Sequence, residues 1–158
     1  MFLGFVGAAV VAAAPCAQPA ARALDFWVGR WTVTDATGGQ KVGDSVVAPE
    51  WGGCAIREQF TGTDGFTGGS LNAFDAERGL WRQFGAGSTG AVRLFEGSVG
   101  ADGALDLRSE GKARDGSPIL LRMVLRKEGE SVRQTSTLSR DGGVTWRPRY
   151  DFRYAPAA

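Results

Sequence analysis

One carboxylate is set apart by its neighbours. In the segment 53–62, Cys54, Ile56, Glu58 and Phe60 share one face of an alternating strand. An acid on an otherwise apolar face is unusual. If that face turns inward, the carboxyl needs hydrogen-bond partners and its pKa rises. A raised carboxyl suits general acid–base work, which makes Glu58 the speculative catalytic residue. Gln83, Arg122 and Gln134 are further polar residues within strand segments. With Glu58 they make a candidate polar patch at the base of a ligand cavity. Trp51 and Trp81 are the candidate aromatic platform among five tryptophans. The ordinary reading of such residues, together with Glu50, Arg82 and Glu96, is solvent-facing alternation with surface ion pairs.

Composition limits the chemistry. The 158 residues include no His. Ser-His-Asp and Cys-His catalysis are excluded, as are HExxH zinc sites and haem on a proximal His. No metal and no cofactor is expected. With 18 basic and 17 acidic residues the net charge is +1, so the basic footprint of a nucleic-acid binder is missing.

The first residues read as an export leader. Phe2 to Ala14 is an apolar run too short to span a membrane and suited to a signal-peptide core. Ala21-Arg22-Ala23 offers a cleavage site, giving a leader over 1–23 and one domain over 24–158, exported to the periplasm or beyond. No membrane attachment is expected after cleavage, and Ala13-Ala14-Pro15-Cys16 resembles a lipoprotein box only loosely. Cleavage at Ala23 removes Cys16, so Cys54 is expected to stand alone as a small buried hydrophobe, without a disulfide.

The elements that would position these residues are short strands. Turn signals such as Thr63-Asp64-Gly65, Ala101-Asp102-Gly103 and Arg114-Asp115-Gly116 recur about every dozen residues. Strands are predicted over 26–35, 42–49, 53–62, 66–74, 79–86, 91–99, 104–112, 118–127, 131–139 and 144–154. No connection holds a crossover helix, so neighbours pair antiparallel. About ten such strands curl, and closure removes their edges. The expected fold is an all-β, single antiparallel up-and-down β-barrel, with residues 24–28 as an apolar turn capping one mouth. In 144–154, Pro148, Tyr150, Phe152 and Tyr154 are expected to oppose Arg147, Arg149, Asp151 and Arg153. Alternation alone does not say which face is interior.

Gly29-Arg30-Trp31, opening the first strand, resembles the lipocalin and calycin signature. The resemblance implies that Gly29 and Trp31 belong to a plug across the closed end, with Arg153 or Arg149 covering the Trp. From Leu24 to Tyr154 the chain also looks like a bacterial family of exported calycin-like barrels. That likeness is carried by Leu24-Asp25-Phe26-Trp27-Val28-Gly29-Arg30-Trp31, Glu50-Trp51-Gly52-Gly53-Cys54, Trp81-Arg82-Gln83-Phe84 and Ser139-Arg140-Asp141-Gly142-Gly143-Val144-Thr145-Trp146. It implies a fold and an export route, and brings no catalytic residues. Nitrobindin, a haem-binding relative of the calycins, needs a His on its iron and does not fit.

Two motifs are set aside. Gly85-Ala86-Gly87-Ser88-Thr89-Gly90 matches a dinucleotide fingerprint but leads into a strand, not a helix. Ser139-x-Asp141-x-Gly143-x-Thr145-Trp146 matches an Asp-box, here read as a single structural hairpin. The leading function is therefore non-catalytic binding of a small apolar or amphipathic ligand in the barrel, by fold-level analogy. The alternatives are a small barrel isomerase, cyclase or hydrolase using an interior carboxylate, and a structural or protein-interaction role for a filled barrel. The oligomeric state is not legible.

Overall fold

The computed structural model describes residues 16–158. The leader expected over 1–23 thus falls mostly outside the described residues. Ten strands follow one another as β1 (Gly29–Asp35), β2 (Lys41–Glu50), β3 (Ala55–Gly62), β4 (Thr67–Asp75) and β5 (Leu80–Gly87), then β6 (Val92–Val99), β7 (Leu105–Lys112), β8 (Pro118–Glu128), β9 (Ser131–Ser139) and β10 (Arg147–Pro156). Each pairs antiparallel with its sequence neighbours, and β1 pairs with β10, closing an up-and-down barrel. The turns obey the chemistry that marked them: Gly65 and Gly103 sit at φ 86° and 77°, conformations that a side chain disfavours.

Most boundaries shift by one or two residues, and two starts shift by three. β1 begins at Gly29 because Asp25–Trp27 form a 3-10 turn. β10 begins at Arg147 because the Asp-box loop runs to Trp146. There Asp141 accepts the backbone N–H of Thr145 at 2.9 Å and its hydroxyl at 2.6 Å, while Trp146 Nε1 donates to Gly143 O. These bonds hold the Asp141 carboxyl far below its ordinary pKa.

One end of the barrel is sealed. Leu24 and Trp27 are fully buried beneath the wall, and Trp31 Nε1 donates to Trp27 O at 2.9 Å. A Cβ on Gly29 would lie 3.2 Å from the Trp31 ring, so this position needs a glycine to let the indole close the end. A second 3-10 turn, Pro19–Arg22, packs alongside. Trp81 Nε1 donates to Ala20 O, and Arg22 donates to Gly53 O. Cys16 is disulfide-bonded to Cys54. This corrects the expectation of an unpaired Cys54: residues 16–23 are built into the sealed end rather than standing apart from it. Above the plug, Val47, Ile56, Leu105, Leu107, Leu125 and Val132 fill the lumen.

One seam is incomplete. The β6–β7 ladder runs from Val99 opposite Leu105 to Glu96 opposite Arg108 and stops. Residues 92–95 and 109–112 remain paired to β5 and β8 but not to each other. A groove of about 730 Å³ enters this slit, lined by Phe95, Ser109 and Leu121 from inside and by Phe84, Leu94 and Leu120 from outside.

Candidate functional site: a polar floor inside an open barrel

At mid-height the inward positions change from aliphatic to polar. Strand alternation puts Ser45 (β2), Glu58 (β3), Ser70 and Asn72 (β4), Gln83 (β5) and Gln134 (β9) on the lumen side. They form one connected network. Gln83 Nε2 donates to Asn72 Oδ1 at 2.7 Å. Asn72 Nδ2 donates to Ser70 Oγ at 3.0 Å and to Ile56 O at 3.2 Å. Ser70 Oγ reaches Glu58 Oε2 at 3.4 Å, and Ser45 Oγ reaches Oε1 at 3.0 Å. From across the lumen, Tyr154 Oη lies 3.1 Å from Glu58 Oε1 and 3.3 Å from Gln134 Oε1.

Glu58 is buried, with three hydroxyls and no cation on its carboxyl. Burial raises its pKa, and the hydrogen bonds from Ser45, Tyr154 and Ser70 only partly oppose that. Burial also lifts the Tyr154 hydroxyl well above the usual phenol range, with the Glu58 charge adding to it. Tyr150, which points its hydroxyl at Met123 Sδ (3.5 Å), is pushed up to about 12 by burial and then by Glu58. Burial thus favours the neutral form of each of these groups, in a floor rich in donors and acceptors.

Above it opens a cavity of about 710 Å³. Its floor carries Glu58, Ser70, Gln83, Gln134 and Tyr154. Its walls carry Val42, Phe60, Phe66, Phe95, Met123 and Phe152. Gly85 presents no side chain on the inner face of β5 and leaves room there, while the Phe66 ring packs against Gly87. At the rim stand Asp64, Arg93 and Arg149. Arg149 gets there at a β-bulge: the β9–β10 register shifts between Pro148 and Tyr150, so Arg149 lines the same cavity as Tyr150 and Phe152, which alternation had set on the opposite face.

Three sequence candidates, Glu58, Gln83 and Gln134, thus share one cavity. The others lie elsewhere. Arg122 is on the outer wall in a bidentate pair with Asp106, Nη2 to Oδ2 at 2.6 Å. Trp51 is 70% exposed in the loop beside Cys54. Trp81 is buried in the sealed end. No aromatic platform of these two is built. Gly29 and Trp31 belong to the plug, but Arg153 sits outside against Glu128 at 3.5 Å and does not cover Trp31. Sequence reasoning passed over Ser45, Ser70, Asn72 and Tyr154; their signal was phase, since Ser70 and Asn72 lie opposite Glu58 and Ile56 in the ladder. Among the described residues no group of three or more Cys, Asp or Glu gathers to hold a metal. The chain matches no protein-family model and no curated protein.

Proposed function

We propose that the protein is an exported, calycin-like binding barrel that takes one small amphipathic molecule through its open end. The observation that carries this reading is the cavity itself: about 710 Å³, apolar in its walls, polar in its floor, and sealed below. That size and lining suit a small-molecule site. The floor offers a carboxyl, a phenol and two carboxamides to the ligand's polar end, while Phe60, Phe95, Met123 and Phe152 cover its apolar body. Export is supported by the Cys16–Cys54 disulfide, which persists in oxidising compartments.

A second reading, acid catalysis by Glu58, is favoured by one observation: a carboxyl with a raised pKa lines an open cavity.

The test is native mass spectrometry on protein purified gently from an exporting host, beside a Gly85→Phe variant. A Cβ at Gly85 meets nothing closer than 3.8 Å, and the position lines the cavity, so a side chain starting there projects into it. A small molecule carried by the wild type and lost in the variant supports binding. A molecule retained by the filled barrel sinks it. Turnover of a ligand that is lost in Glu58→Gln but still bound moves the assignment to catalysis.

A further inference from the structure

The rim and the floor of the cavity differ in charge. Arg93 (β6) and Arg149 (β10) lie four strands apart around the wall, and both line the same opening. Neither forms an ion pair among the described residues. Arg93 spends one N–H on its neighbour's carbonyl, Val92 O, at 2.8 Å. Arg149 lies with its guanidinium carbon 6.0 Å from the Tyr150 ring centroid. Most other arginines of the wall are neutralised: Arg57 by Glu50, Arg122 by Asp106, Arg126 by Asp102 and Arg133 by Asp151. The one acid at the rim, Asp64, already accepts the backbone N–H of Phe66 in its own turn at 3.0 Å. Two guanidinium groups without an acid partner among the described residues therefore line the entrance, Arg149 at the bulge that interrupts the β9–β10 ladder.

Deeper in, among the described residues, no cation lines the floor. Glu58, Ser70, Gln83, Gln134 and Tyr154 offer only uncharged groups or, once ionised, a negative one. An anion pushed to the floor would be desolvated without a counter-charge. The two levels dictate an orientation: charge outward, uncharged polar tip inward.

Building on the binding reading above, we infer that the ligand is an amphipathic monoanion whose carboxylate, sulfonate or phosphate group is held at the rim by Arg93 and Arg149. Its apolar body lies against Phe60, Phe95 and Phe152, and an uncharged hydrogen-bonding tip meets the floor.

The experiment uses two fluorescent probes that share one apolar scaffold, 8-anilinonaphthalene-1-sulfonate and the uncharged N-phenyl-1-naphthylamine. Both are titrated into the disulfide-intact protein. The sulfonate is expected to bind about tenfold tighter, and the advantage to shrink as salt is raised, because partly exposed guanidinium pairs are screened. Arg93→Gln and Arg149→Gln should each cost the sulfonate about three- to tenfold and leave the neutral probe unchanged. Gly85→Phe should abolish both. Equal affinities that both vanish in Gly85→Phe overturn the anion inference and leave the binding reading standing. Binding of both probes that survives Gly85→Phe sinks the binding reading with it. Binding lost instead in Leu94→Glu places the probes on the outer row of Leu71, Phe84 and Leu94 and likewise overturns the inference.

Discussion

Tyr154 Oη and Glu58 Oε1 meet at 3.1 Å across the lumen, from residues 96 apart in sequence. Their strands, β10 and β3, are not neighbours in the wall. The Tyr154 ring is itself set edge-on to Trp27 of the plug, with centroids 6.2 Å apart. The sealed end thus reaches up to fix the floor of the cavity, and plug and site are one packed unit.

Removing the hydroxyl alone tests that link. Tyr154→Phe keeps the ring against Trp27 but withdraws a donor from a buried carboxyl. A loss of about 1–2 kcal/mol is expected in chemical denaturation. The Glu58 carboxyl should titrate higher still, followed by its carbon resonance in NMR, because a bond that lowered its pKa is gone. An unchanged titration would mean that the two groups do not interact in solution.

The same burial predicts a pH dependence with a definite sign. Folded Glu58 holds its proton above the pH at which the unfolded chain, near 4.3 for Glu, has lost it. Folded protein therefore binds more protons in that window, and stability falls as pH rises from the unfolded pKa through the raised folded one. Glu58→Gln should flatten this slope. It should match wild type near pH 4 and exceed it at high pH, by about 1.4 kcal/mol per pKa unit. Melting curves across pH measure it; a wild type that gains stability over the same window contradicts the assignment.

The disulfide closes a span of 38 residues. Chain-entropy reasoning gives such a loop about 4 kcal/mol, and Cys16→Ser with Cys54→Ser should lose about 2–4 kcal/mol of it. N-terminal sequencing of the exported protein is expected to find Cys16 retained. A mature chain starting at Leu24 would lack the Ala20 carbonyl that Trp81 uses.

The open seam makes a local prediction. Amides of residues 92–95 and 109–112 that point at each other have no ladder partner and should exchange with deuterium faster than those of 96–99 and 105–108. Uniform protection across both strands would mean that the slit is closed in solution.

Much of the architecture was legible because each turn carries its own chemistry. Asp-Gly pairs mark four of the nine connections and other Gly-containing turns the rest, independently of the core, so about ten strands could be counted before their faces were known. The inner face was harder to read. β8 carries Leu120 and Val124 outward as well as Leu121 and Met123 inward, so hydrophobicity alone does not choose. Glu58 was found because it broke an apolar face, and Gln83 and Gln134 because they interrupt strands. Strict alternation set Arg149 on the face opposite Tyr150 and Phe152, yet all three line the cavity. The bulge beside it, between Pro148 and Tyr150, shifts the phase by one. Arg122 failed as a candidate for a different reason: its partner Asp106 comes from the next strand, and only the register puts the two together.

The closing pair of strands has a consequence for how the molecule can be handled. Trp31 lies opposite Pro156, and Ala157 N donates to Arg30 O at 2.9 Å. The described chain thus enters and leaves at the plugged end. A tag, a tether or a fused domain added after Ala158 is held at the plugged end, while the mouth faces the other way. The barrel can be immobilised like a cup by its base, with exchange at the rim left unobstructed.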